Sequence, residues 1–129
     1  MKNLHIVQGG ITNGDKTGLE KASRQHLNLE RPKWVAPKGA RIGDEVVIFV
    51  GGQFFATAVV NSPPVKRKDW PGHRYGVKLA AIRLIEKPIS IDEIRRRWPS
   101  LGWAKYPRSI YTVRTQQLAD QIRKVVYAS

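Results

Sequence analysis

The chain has no cysteine, ten acidic residues against 23 lysines and arginines, and no apolar run approaching membrane-spanning length. The first absence excludes a disulfide framework, a thiolate nucleophile and a cysteine-ligated zinc site, as suits a reducing compartment. The shortage of acids leaves a formal charge of +13 on 129 residues. Such a field concentrates polyanions, so nucleic acid is the default partner and an anionic membrane the second. Against the membrane, spanning needs roughly 18 consecutive apolar residues, and no helix-like stretch pairs a broad apolar face with a lysine-rich one. Met1 to Val7 runs straight into strand-like sequence without a signal peptide's apolar region or cleavage site, which predicts a cytoplasmic protein.

Catalytic signatures are missing too. There is no Gly-x-Ser-x-Gly elbow, no P-loop, no dinucleotide glycine fingerprint and no His-Asn-His nuclease cluster. The glycines at 9, 10 and 14 lack the lysine-hydroxyl ending of a phosphate loop, and His5, His26 and His73 lack metal-ligand spacing. The expectation is a binding module without cofactor, metal or catalytic residue. A hydrophobic content of 41% suffices for one packed core, so residues 1–129 are read as a single domain.

What is present is tryptophan in unusual company. Three of the four lie beside prolines and cations, in Pro32-Lys33-Trp34, Lys66-Arg67-Lys68-Asp69-Trp70-Pro71 and Trp103-Ala104-Lys105-Tyr106-Pro107-Arg108. Aromatics interleaved with cations in loops suit stacking a base while holding its phosphates. Trp98, by contrast, closes an amphipathic stretch after Ile91 and Ile94 and reads as core.

The pattern predicts strands at Leu4 to Gln8, Glu45 to Val50, Gln53 to Val60, Tyr75 to Ile85 and Ser109 to Val113. Gly51-Gly52 joins the second and third as a hairpin. Asn13-Gly14-Asp15 and Ile42-Gly43-Asp44 are turn sequences. Thr17-x-x-Glu20 and Ser90-x-x-Glu93 have capping-box spacing, for helices to about Leu27 and Trp98, and a third helix spans Thr115 to Val126 with Leu118, Ile122 and Val125 on one side. Asn28 to Lys33 reads as a loop, and Asn61 to Arg74 as a long polar connection of the kind that carries function. Strands grouped around a hairpin predict an α+β fold: a strongly curved sheet or small β-barrel with helices on its outside.

The segments Trp34 to Phe49, Phe55 to Val60, Tyr75 to Ile82, Pro88 to Ile94 and Pro107 to Val113 resemble, in order, those of EVE domains in the PUA-like superfamily. Individually each is weak; the specificity lies in their succession over essentially the whole chain. The opening Ile6-Val7-Gln8-Gly9-Gly10-Ile11 with Asn13 to Lys16 is similar to the N-terminal modules of bacterial HNH endonucleases that cut modified DNA. EVE domains are in turn similar to YTH domains, which hold a methylated base in an aromatic cage. The resemblance implies that Trp34 and Trp70 form such a cage and that Gln8, Gly9 and Gly10 reach the base's polar edge. It places Arg108 and Ser109 near the phosphates. Where the family carries polar residues after its first strand this chain has two glycines, so edge recognition is expected from their backbone groups.

Reading a modified base in a duplex requires extruding it, at a cost of a few kcal/mol. Two indoles return roughly 1 to 3 kcal/mol per stacked face. Asn61 and Ser62 can supply polar groups to the base edge. Trp103 and Tyr106 either line the pocket or pack beneath it. Lys66, Arg67, Lys68 and Arg74, flanking Trp70, are the candidate phosphate contacts, which Arg95, Arg96 and Arg97 would extend. The expected ligand is double-stranded DNA carrying 5-methylcytosine or 5-hydroxymethylcytosine, with any nuclease activity in another domain of the parent protein. Modified RNA, or a small enzyme acting on nucleic acid, are the alternatives.

Overall fold

A computed structural model describes residues 2–10, 14–71 and 74–128. Ile11 and Asn13 of the glycine-rich opening, and His73, lie outside the described residues.

The β-branched run β3 (Glu45–Val50) and its partner β4 (Gln53–Val60) form the expected hairpin. Gly51 and Gly52 both have positive φ, 66° and 78°, as a two-residue turn matched to right-handed strand twist requires. Val46 to Val50 are all buried because the sheet is covered on both faces: Val46, Ile48 and Val50 enter one core, Val47 and Phe49 the other. β1 (Leu4–Gln8) lies parallel to β3, and the edge strand β7 (Ile110–Thr112) runs antiparallel to β1.

On the other side of β4 runs the longest strand, β6 (Tyr75–Ser90). It carries an extra residue where Thr57 pairs Arg83 but Val59 pairs Ala80. Ala81 there takes a positive φ of 51°, so the strand bulges and the sheet curls. The start of β6 pairs with β2 (Leu29–Ala36) and with the two-residue β5 (Val65–Lys66). The result is one mixed sheet, ordered β2-β6-β4-β3-β1-β7 with β5 also on β6. The expected α+β architecture with a strongly curved sheet is the one observed.

β2 corrects the loop expected at Asn28 to Lys33. Its polar sequence, with Pro32 in it, belongs to a sheet edge, where a missing N–H costs no ladder bond. The approach to β6 is close: a Cβ on Gly76 would collide with the Pro32 carbonyl.

Helix α1 (Asp15–Arg24) packs Leu19 and Ala22 into the core that holds Trp34, Val50 and Phe55. Its N-cap is Gly14, in the left-handed conformation, and Thr17 lies inside the first turn, so the expected capping box there does not form. Helix α2 (Ile91–Arg97) starts as expected, with Ser90 Oγ accepting from the Glu93 N–H at 3.2 Å. Helix α3 (Gln116–Val126) is capped by Thr115 and buries Ala119, Ile122 and Val126. Together with a 3-10 turn at Gly102–Ala104, α2 and α3 cover the opposite core, which contains Phe49, Phe54, Trp98 and Trp103.

A buried polar cluster fixes the start of β1 to the turn before β3. Asp44, 3% exposed, accepts from His5 Nε2 at 2.8 Å and from the N–H groups of Asn3 and Arg41 at 3.1 and 3.0 Å. His5 Nδ1 lies 2.9 Å from Thr112 Oγ1, so the cluster also reaches β7. Burial works to raise the Asp44 pKa, but the bonds from His5, Arg41 and Asn3 outweigh it and hold the carboxyl below its ordinary value.

Candidate nucleic-acid interface

The end of β1, the start of α1, β2 and the loop before β6 converge on a cavity of about 200 Å³. Gln8, Gly10, Asp15, Trp34, Trp70 and Arg74 line it, and Lys33, Val35 and Pro71 complete the wall. Trp34 and Trp70, 36 residues apart in the chain, therefore border the same space.

The two rings are held differently. Trp34 is 8% exposed and packs into the core beside α1. Gly9 makes room for it: a Cβ there would stand 2.7 Å from the indole Cη2, closer than real contacts allow. Trp70 is half-buried, and the Arg67 guanidinium stacks over its ring at 4.9 Å. Arg67 also donates to Asp69 through Nε and Nη2, at 3.0 and 2.7 Å, and to the Pro32 carbonyl at 2.9 Å. The bonds to Asp69 raise the guanidinium's pKa and lower that of the carboxyl. Arg67 thus clamps the Trp70 loop onto β2.

Other expected contributors are placed as follows. The Gly9 N–H donates to the Phe49 carbonyl at 2.9 Å and the Gly10 N–H to Asp15 Oδ2 at 2.8 Å. Both donors are engaged, so any backbone edge recognition by these glycines falls to their carbonyls, while Gly9 provides steric clearance and Gly10 holds Asp15. Ser62 is buried, its Oγ bridging the Pro63 carbonyl and the Lys78 N–H, while Asn61 is exposed and its N–H continues the sheet; neither lines the cavity. Ser109 sits at the rim, where its Oγ accepts from Arg74 Nη1 at 3.0 Å and its carbonyl from the Gln8 N–H. Lys66, Lys68 and Arg108 are exposed around this region.

Trp103, expected either to line the pocket or to pack beneath it, does not line the cavity. It is 2% exposed, stacks on Phe54 at 5.6 Å and meets Phe49 edge-on at 5.0 Å, on the core face away from the cavity. A tryptophan flanked by Lys105 and Pro107 is here ordinary core. Tyr106 points the other way, 79% exposed, and does not line the cavity.

Asp15, expected only as part of a turn, also stands in the cavity wall. Its position just after a glycine-rich strand end, opening a helix, was the available signal. A carboxylate there can accept from an amino group on a bound base, and the Gln8 amide can bond either edge. Asp15, Lys33 and Trp34 also border an adjoining hollow of about 390 Å³ beside α1, so the indole stands as a partition between two concavities. Hollows of about 420 and 450 Å³ lie on other faces, and tryptophan lines neither. Among the described residues no cluster of histidine and carboxylate groups could hold a metal ion, and no helix is long and apolar enough to cross a membrane.

No protein-family model and no curated protein matches the sequence. Solved structures do resemble the fold. Rpa0253 from Rhodopseudomonas palustris superimposes with a TM-score of 0.69 at 13% identity, over 96% of this chain and 92% of the other. Human THYN1, solved in complex with DNA containing 5-methylcytosine, gives 0.63 at 10% identity, over 99% of each chain. The Pho92 YTH domain in complex with m6A gives 0.51 at 12% identity, over 99% of this chain and 85% of that one. At such identities the likeness is one of fold alone.

Proposed function

We propose that the chain is a reader of base modification, which binds DNA containing 5-methylcytosine or 5-hydroxymethylcytosine by taking the extruded base between Trp34 and Trp70. The observation that carries this reading is that both indoles border one small cavity, in a protein of charge +13. A volume of about 200 Å³ suits a single ring better than a drug-sized ligand, whose pockets begin near roughly 300 Å³. Stacking on two indoles, at roughly 1 to 3 kcal/mol each, offsets the few kcal/mol of lost pairing and stacking. Arg74 at the rim and the exposed Lys66, Lys68 and Arg108 supply the salt-dependent attraction to phosphates. The similar fold of THYN1, bound to 5-methylcytosine DNA, supports the choice of ligand. The resemblance to the N-terminal modules of HNH endonucleases supports a place as the specificity module of a modification-dependent restriction enzyme.

The test is a fluorescence-polarisation titration at one salt concentration, with methylated duplex, unmodified duplex and methylated RNA. Tightest binding to the methylated duplex is expected. A preference for RNA would move the assignment to the mode suggested by the YTH domain bound to m6A. Trp70→Ala should weaken methylated-duplex binding by about 1 to 3 kcal/mol while nearly sparing unmodified duplex. An equal loss on both would mean that the ring does not grip the base.

Asp15 sets the base edge in this reading. A carboxylate accepts from the 4-amino group of cytosine and repels the 4-oxo group of thymine, and such a contact is worth about 1 to 3 kcal/mol of discrimination. Asp15→Ala should narrow the preference for 5-methylcytosine over thymine by that amount, measured on folded protein with otherwise identical duplexes. An unaltered ratio would remove Asp15 from recognition.

A further inference from the structure

Tyr106 is the most exposed of the large hydrophobic side chains described, at 79%. An aromatic ring left in water forgoes the burial that normally justifies it, and such residues are the usual anchors of an interface. The loop that carries it is held at both ends. Before it, Trp103 is embedded in the core, and the Lys105 N–H closes the 3-10 turn onto the Gly102 carbonyl at 3.2 Å. After it, the Arg108 carbonyl accepts two side-chain bonds, from Trp103 Nε1 at 3.1 Å and from Gln8 Nε2 at 2.8 Å. Pro107 further disfavours helical backbone at Tyr106. The tip is therefore presented by a closed, stiffened loop whose ordering cost is met before any partner arrives.

Its location gives the loop a task. Gln8, which braces it, is also a wall of the cavity, and Ser109, three residues beyond Tyr106, accepts from Arg74 at the cavity rim. Three residues of chain reach at most about 10 Å, so the Tyr106 backbone lies within that distance of the Ser109 backbone and on the cavity's side of the molecule. Lys105 and Arg108, both exposed, flank Tyr106 with positive charge.

We infer that Tyr106 is a wedge which enters the duplex and occupies the place in the base stack that the extruded nucleotide leaves. This rests on the base-extrusion reading proposed above and adds a second binding element to it, outside the cavity. Extrusion leaves the opposing base without a partner and its neighbours without a stacking face. A flat ring inserted there restores one face on each side. Without it the cavity would have to overcome the whole cost of opening the helix.

The wedge matters only where there is a stack to fill, which makes it separable from the cavity. Wild type, Tyr106→Ala and Tyr106→Phe are titrated at fixed salt against methylated duplex, unmodified duplex, and methylated and unmodified single strands of the same sequence. Tyr106→Ala should bind methylated duplex about 5- to 100-fold more weakly, from the usual worth of one aromatic stacking contact. It should bind the methylated single strand within about twofold of wild type, and Tyr106→Phe should restore duplex binding. Undiminished duplex binding by Tyr106→Ala, or an equal loss on the single strand, overturns the wedge. The wild-type titrations report on the cavity independently: failure to distinguish methylated from unmodified single strand would overturn the Trp34 and Trp70 reading itself.

Discussion

Trp34→Ala is expected to lower stability by about 3 to 5 kcal/mol and to remove the preference for a modified base. The first effect follows from burial. The indole belongs to the core shared by α1, β3 and β6, and its removal leaves a void bounded by elements that cannot all close on it. That is a large part of the roughly 5 to 15 kcal/mol margin of a small domain. The second effect follows from position, because the same ring is one wall of the cavity. Trp34→Phe separates them: it should retain more of the stability and part of the stacking surface. Denaturant unfolding measures the first quantity, and titration of the folded variants against methylated and unmodified duplexes the second. A Trp34→Ala protein that is folded and still prefers methylated DNA by the wild-type factor would mean that the base stacks elsewhere.

Asp44→Ala is expected to cost about 3 to 5 kcal/mol without touching the cavity. It strands the buried His5 Nε2 and, at the exposed residues Asn3 and Arg41, two N–H groups. Acid should act in the same direction. Because the folded pKa of Asp44 lies below its ordinary value, its contribution is fully present above about pH 4. It is lost as the pH falls below that and through the depressed folded value. The stability difference between wild type and Asp44→Ala should thus shrink as the pH falls below about 4. Unfolding curves at several pH values would show it, and a difference that stays constant down to pH 2 would disprove the assignment.

Elements with local chemical signals were legible in the sequence. The Gly51-Gly52 turn, the cap at Ser90 and the apolar run of β3 each carry their instruction in adjacent residues. β2 was not, because an edge strand with one solvated side needs no apolar alternation and tolerates Pro32. Thr17 misled because capping-box spacing says nothing about a nearby glycine able to start the helix earlier. The cavity was legible only as composition. Trp34, Trp70 and Trp103 all sit beside prolines and cations, yet the last faces Phe49 and Phe54 across the sheet. What separates them is which face of a curled sheet each meets, a property of strand order and not of neighbours in sequence. Asp15 and the clamping Arg67 were hidden for the same reason, since their partners Gly10 and Pro32 are chosen by chain reversal.

The position of β1 between β3 and β7 also sets an order of assembly. His5 meets Thr112 across 107 residues of chain, and Gln8 is braced from the Arg108 carbonyl. Closing so large a loop carries its entropic penalty before any contact rewards it, which makes this pairing a late step in folding. The wall that Gln8 contributes to the cavity is completed only then. Nascent or partly folded chains would carry the full charge of +13 without a finished cavity.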